Sequence, residues 1–239
     1  MGFLYTFVKN ALFHIDVLGL KEQECGHAYT DAAIKWLKEH YQSFLDVAKE
    51  FDLSDEVIIA TMMAVMEEYS NKRGIHALSD MVQDGKILEG KLWYIDGLWR
   101  PDVGPGNINI DTAMELKNKV NPDVLEKINS KAEVNSKFNS KIEMARYLLT
   151  SRGTAVIGAL EMQRVTSKFL TEEKYKADKM SHIDKLQNMV DIWRQGDGRY
   201  ARMDKKIRKN NKHKPEHKYN EKPSIPIYNY NAIRDIMQP

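Results

Sequence analysis

Two adjacent glutamates, Glu67 and Glu68, close a run of ten largely apolar residues from Val57 to Met66. A segment apolar on nearly every face is interior. A carboxyl at its end is costly to bury unless paired or protonated, and loss of water raises its pKa. A carboxylic acid that keeps its proton near neutral pH suits general acid catalysis, above all glycoside cleavage, where the leaving oxygen must be protonated as the bond breaks. The plainer reading is that both glutamates mark where a buried helix emerges into water. One helical step is about 100°, so only one of the two should face a cleft.

A second segment joins the first. Val103-Gly104-Pro105-Gly106-Asn107-Ile108-Asn109-Ile110-Asp111-Thr112-Ala113 is a glycine-bearing loop running straight into a helix. Just before it, Leu92 to Gly106 is rich in Trp, Tyr, Ile, Gly and Pro, which predicts a short hairpin or irregular loop. Asp102 and Asp96 are alternative second carboxylates, able to stabilise positive charge at a sugar or to orient water. Either can equally be a turn residue. Trp93, Tyr94, Trp99 and Trp193 could form walls against which sugar rings stack, though aromatic residues are as readily core. His213 and His217 have helical metal-ligand spacing, but Pro215 between them argues against a metal site. Cys25 is the single cysteine, so no internal disulfide can form, and no partner motif makes it a nucleophile. Neither a Walker-type phosphate loop nor a serine nucleophile elbow is found.

These segments resemble, in order, the motifs of the soluble lytic transglycosylases and goose-type lysozymes. That family's first motif, Ala-x-x-Glu-Ser near the end of a buried helix, is matched by Ala64-Val65-Met66-Glu67-Glu68, with Glu67 at the catalytic position and Glu68 where serine is usual. In its second motif, a Gly-Leu-Met-Gln loop followed by Thr-Ala, Gly104 stands for the glycine, Asn107 for the glutamine and Thr112-Ala113 for the Thr-Ala pair. Trp193-Arg194-Gln195-Gly196 stands where the family has Tyr-Asn-Ala-Gly. The chain is closer still to lysozyme-like toxins delivered by bacterial type VI secretion, which carry a Gly-Pro-Gly loop after the glutamate helix. The likeness spans roughly residues 55 to 200. About 35 residues separate the first two motifs, so the stretch from Gly74 to Trp99 is an insertion.

The resemblance implies a mostly α-helical, lysozyme-like fold with a small irregular or β-hairpin cleft wall. It implies a muramidase that needs no cofactor or metal and cleaves the bond between N-acetylmuramic acid and N-acetylglucosamine in peptidoglycan, by hydrolysis or by lytic transglycosylation. Glu67 would be the acid, with Glu68 its rival or else a binder of the glycan; the resemblance requires no second carboxylate, and Asp102 is the candidate for one from its place before the loop. Gly104, Gly106, Asn107, Thr112, Trp99, Trp193 and Gln195 would bind the glycan. By resemblance the protein is an antibacterial effector acting in the target's periplasm, with a cognate immunity protein; a phage-type endolysin has the same chemistry. A non-catalytic module binding cell wall or protein is the alternative from another class.

The elements that must position these residues are legible as well. Among 239 residues, 42% are apolar, 29% charged and only seven are prolines, a composition suited to a mostly helical globular protein. Helices are predicted over 32–51, from 55 to the glutamates, 111–119, 122–128, 141–170 with a break near Ser151-Arg152-Gly153, and 182–193. Ser54 is the N-cap of the glutamate helix, with Asp55 and Glu56 in its first turn and Leu53 stapled onto Ile58.

The expected division is an N-terminal helical segment (1–54), a catalytic domain (55–200) and a basic C-terminal appendage (201–239). Met1 to Leu20 reads as an ordinary helix rather than a signal peptide, and no apolar run reaches the length of a membrane span. The net charge of +2 is uneven. Arg202, Lys205, Lys206, Arg208, Lys209, Lys212, Lys214 and Lys218 face only Asp204 and Glu216 between residues 201 and 219, a solvated run able to attract a polyanion. Cell-wall polymers qualify; nucleic acid is disfavoured, since the run lacks interleaved aromatics and any known binding motif.

Overall fold

A computed structural model describes residues 29–71, 83–90, 94–95, 98–99, 102–130, 139–169, 181–183, 185–194 and 225–237. Trp93, Asp96, Gln195, the N-terminal helix expected at Met1 to Leu20, Cys25 and the basic run with His213 and His217 lie outside the described residues. Of Tyr94 and Trp99 only the backbone is described.

The fold is mostly helical with small antiparallel hairpins. Helix α1 (Asp31–Phe51) begins at Thr30, whose Oγ1 accepts the Ala33 N–H at 3.3 Å, and ends at Asp52 in the left-handed region, φ 52°. It buries Ala33, Leu37, Phe44, Val47 and Phe51 along one stripe. Helix α2 (Asp55–Asn71) starts as its sequence predicts, with the Val57 N–H donated to Ser54 Oγ. Leu53 and Ile58 are both buried, and from Val57 to Glu67 only Ile59 is less than buried. Met62, Met63 and Met66 are fully enclosed, each contributing about 1.5–3 kcal/mol by burial. Apolar burial of this size outweighs the cost of one awkward carboxyl at the helix end.

After a short helix at 83–88 (α3) come two hairpins. Strand β1 (Tyr94–Ile95) pairs with β2 (Leu98–Trp99), and β3 (Asp102–Val103) pairs with β4 (Ile108–Asn109). Of the two forms expected for this segment, hairpin or irregular loop, its described residues take the first, and the strand pairing extends past Gly106 to Ile108–Asn109 beyond the turn at Gly104–Asn107. Asn109 then caps α4 (Ile110–Glu115), its Oδ1 accepting the Thr112 N–H at 3.0 Å. A 3₁₀ turn (Leu116–Asn118) and α5 (Pro122–Ser130) follow.

Helices α6 (Lys141–Leu148) and α7 (Ser151–Phe169) meet at the predicted break. Thr150 makes the break: its Oγ1 accepts the Gly153 N–H at 2.9 Å and donates to the Tyr147 carbonyl at 2.7 Å. The next helix, α8 (185–194), carries buried Leu186, Met189, Val190 and Ile192. Lys185 meets Glu56 at the start of α2 and Arg194 meets Glu67 and Glu68 at its end, so α8 and α2 run side by side in the same direction.

The last helix, α9 (Ile225–Met237), falls within the segment expected as a basic appendage, yet packs on α1 and α2. Its Ile233 and Ile236 join the common core, and buried Asn229 accepts the Tyr29 N–H. The core is likewise continuous across residue 54, so the structure draws no boundary there. Among the described residues no helix is long and apolar enough to cross a membrane.

Candidate active site

The end of α2 is held from several sides. Tyr29 donates its hydroxyl to the Met63 carbonyl at 3.2 Å, and Ser70 Oγ accepts the Thr30 N–H at 3.1 Å. From α7, Gly158 lies close enough that an added Cβ would stand 3.1 Å from Thr61 Cγ2. The glutamates project from a fixed helix end.

Glu67 is 5% exposed. Its Oε2 accepts from Arg194 Nη1 at 3.1 Å, while Oε1 is buried with no hydrogen-bonding partner among the described residues. Burial, chiefly, pushes its pKa from the ordinary 4.5 up to about 7; Arg194 opposes the rise, and Asp191 and Glu68 add to it. A shift of that size makes the ionised form about 3 kcal/mol dearer than it is in water. The Tyr29 phenol is raised well above its usual range, by burial and then by the Glu67 charge. The pKa of Asp191 is also raised by burial, against hydrogen bonding from Gln187 and the charge of Arg194.

Glu68 has the other orientation. It is partly exposed, its Oε1 accepts from Arg194 Nε at 2.8 Å and its Oε2 from Asn107 Nδ2 at 3.4 Å. It lines a cleft of about 240 Å³ together with Asp102, Asn107, Thr112, Glu161 and Trp193, with Arg194 at the same wall. Of the two glutamates it is Glu68, and not the expected Glu67, that lines this cleft. Glu67 stands behind it against the protein interior.

The Gly-Pro-Gly-Asn turn forms one rim for a steric reason. Gly104 has φ +73°, and a Cβ there would meet the Leu148 carbonyl oxygen at 2.0 Å. A Cβ on Gly106 would crowd Thr154, Val65 and Ile108 at 3.2–3.3 Å. Neither glycine is among the side-chain positions lining the cleft, where the expectation put them; both let the turn settle against α2, α6 and α7, with Asn107 as its contribution to the rim. Asn107 itself is left-handed, φ 49°, a conformation Asn tolerates better than most residues, and this aims its side chain at Glu68.

Of the other expected residues, Asp102 is exposed at the cleft rim, with Oδ1 accepting from Asn109 Nδ2 at 3.0 Å. Thr112 and Trp193 line the cleft, and the Trp193 indole nitrogen is turned inward.

Sequence reading passed over three groups. Glu161 is 8% exposed on α7 and gripped at both oxygens by Arg164, at 2.5 and 2.7 Å. Asp191 and Arg194 sit one turn apart on α8. Glu161 and Asp191 carried the signal that marked Glu67, a charge inside an apolar run (Ala155 to Met162; Val190-Asp191-Ile192). Arg194 was marked only by its place in the Trp193-Arg194-Gln195-Gly196 motif, and its hold on the glutamates was not, because that depends on residues more than 120 positions away. No group of three or more metal-binding side chains is found among the described residues.

The arrangement offers a buried carboxyl that holds a proton near neutral pH, a neighbouring carboxylate open to a cleft, one guanidinium on both, and amide, hydroxyl and aromatic groups along the walls. Comparison of the chain with protein-family models, with curated proteins and with solved structures gives no match.

Proposed function

We propose that this protein cleaves the glycan strands of peptidoglycan as a lysozyme-like muramidase, acting on the bond between N-acetylmuramic acid and N-acetylglucosamine. The observation that carries this reading is Glu67: a carboxyl at the end of a helix buried all round, pushed to about 7 by burial, directly behind a cleft rimmed by the Gly104–Asn107 turn. An acid protonated near neutral pH can give its proton to the glycosidic oxygen as the bond to the anomeric carbon breaks. The anomeric carbon is then attacked by water, giving a reducing end, or by the sugar's own hydroxyl, giving an anhydro product; in either case the nucleophile's proton returns to the carboxylate left on Glu67.

In this reading Glu67 holds the proton, and Glu68, Asn107, Thr112 and Trp193 meet the sugars along the cleft. Proton delivery requires Arg194 Nη1 to yield its place on Glu67 Oε2 and the Glu67 carboxyl to turn past Glu68 to the cleft as the glycosidic oxygen approaches, a rearrangement of the kind catalytic sites undergo on binding substrate. By the resemblance of its motifs, the protein belongs with antibacterial effectors carried into a target's periplasm and neutralised at home by an immunity protein.

The test is muropeptide release from purified peptidoglycan by wild type, Glu67→Gln and Glu68→Gln, with products weighed by mass spectrometry. The expected result is release by wild type and at least about a hundredfold loss in Glu67→Gln, the scale of general acid catalysis. Loss in Glu68→Gln alone would transfer the acid's role to the cleft-facing residue. A wild type that binds peptidoglycan and releases nothing sinks the reading in favour of a binding module.

A further inference from the structure

One guanidinium serves two neighbouring residues of a different helix. Arg194 Nη1 lies 3.1 Å from Glu67 Oε2, and Arg194 Nε lies 2.8 Å from Glu68 Oε1. Consecutive residues on a helix point about 100° apart, so a single side chain can touch both only from the edge between their two directions. Arg194 reaches that edge from the last described turn of α8, a helix pinned at its other end by Lys185 on Glu56. Its side chain is 19% exposed, so water screens these contacts far less than those of a surface pair.

We propose that Arg194 is the positioning residue of this site: it tethers Glu67 inward and Glu68 into the cleft, so that a single side chain from α8 fixes which glutamate is held against the interior and which lines the cleft. The proposal rests on the muramidase reading for its catalytic consequence, but the tether belongs to the protein whatever its substrate.

The groups acting on Glu67 make the tether measurable. They are Arg194 and Asp191 from α8 and Glu68 on its own helix; the Tyr29 hydroxyl, from the segment leading into α1, is bonded to the Met63 carbonyl and itself feels the Glu67 charge. Helix α1 offers α2 a stripe of apolar residues. Helix α9 contributes Ile233, Ile236 and the amide of Asn229, and the Glu161–Arg164 pair on α7 lies along the cleft. Arg194 and Asp191 are of opposite sign and one turn apart, so they act on Glu67 in opposite directions. Removing the arginine must raise the proton affinity of Glu67, and removing the aspartate must lower it. A residue that merely packs against the glutamates has no such signature.

The experiment is carbon-13 NMR titration of the glutamate side-chain carboxyls in the full-length protein, with the Glu67 resonance assigned by its disappearance in Glu67→Gln. Arg194→Gln is expected to move the Glu67 midpoint upward and Asp191→Asn to move it downward, each by half a pH unit or more, on the order of a one-unit local charge effect. Arg194→Lys keeps the charge and loses the two-point fork, so its midpoint stays within a few tenths of wild type.

On peptidoglycan, Arg194→Gln is expected to shift the alkaline limb of the pH–rate profile upward. Arg194→Lys is expected to keep the limb and lower kcat about tenfold with little change in KM, the mark of a group that orients rather than binds. An unchanged midpoint in Arg194→Gln would overturn the tether, whatever Asp191→Asn does. If Arg194→Gln does not fold, Arg194→Met, which keeps the apolar stem and removes the charge, carries the same midpoint test. If the midpoints move as expected but wild type cleaves no peptidoglycan, the tether stands and the muramidase reading falls.

Discussion

Asn107 donates its side-chain amide to Glu68 across 3.4 Å, linking the apex of the Gly-Pro-Gly turn to the end of a helix 39 residues earlier in the chain. The contact is long for a hydrogen bond, and its worth is about 1 kcal/mol at most. Its value lies in direction: the left-handed backbone of Asn107 turns the amide toward the cleft-facing glutamate rather than toward solvent. Asn107→Gly keeps that backbone available and deletes only the amide. Melting temperature is expected to change by no more than about 2 °C, while turnover of peptidoglycan falls roughly fivefold, the rate equivalent of such a bond. Unaltered turnover would remove Asn107 from the site.

Two glycines separate a steric requirement from mere tolerance. Gly104→Ala must place a methyl group 2.0 Å from the Leu148 carbonyl oxygen at φ +73°, so the turn has to leave α6. A loss of at least about 3 kcal/mol, or failure to fold, is expected by urea denaturation. Gly85→Ala, in the short helix at 83–88 with nothing within 4 Å of its new methyl, is expected to be neutral or to stabilise by up to about 1 kcal/mol. Equal effects from the two would contradict the close packing of the turn.

Glu67 makes stability depend on pH with a definite sign. Its pKa is higher folded (about 7) than at its ordinary 4.5, so the folded state binds the proton more tightly. The stabilisation this gives is fully present below pH 4.5 and disappears as pH rises through about 7. The contribution is about 3 kcal/mol at most. Glu67→Gln, uncharged throughout, is expected to gain stability over wild type as pH rises from 5 to 8, read as the difference in urea midpoints. A difference independent of pH would mean Glu67 is not the titrating group.

The same proton governs the proposed activity. With Glu67 as acid, cleavage of peptidoglycan is expected to be steady below about pH 7 on its alkaline side and to fall about tenfold per pH unit above it. A rate unchanged between pH 7 and 9, measured by muropeptide release at saturating substrate, would exclude the protonated carboxyl from the slow step.

Much of this protein is local in origin and so legible along the chain. The cap at Ser54, the burial of Val57 to Met66, the break that Thr150 and Gly153 make between α6 and α7, and a hairpin near Gly104 all follow from spacing and turn chemistry, which depend on residues a few positions apart. The apolar spacing of Ile233 and Ile236 was also present, but the basic run before it suggested a solvated tail; packing on α1 and α2 decided otherwise. The glutamate pair was visible, and which member opens to the cleft was not. A helix apolar on every side has no polar face to mark the outward direction, so the answer waits on what packs around it. Here the Asn107 turn and Arg194, 39 and 126 residues from Glu68, leave that residue at the cleft and Glu67 within. Periodicity carries no information about such partners, because contacts between distant segments are set only when α2, α7 and α8 close around one core.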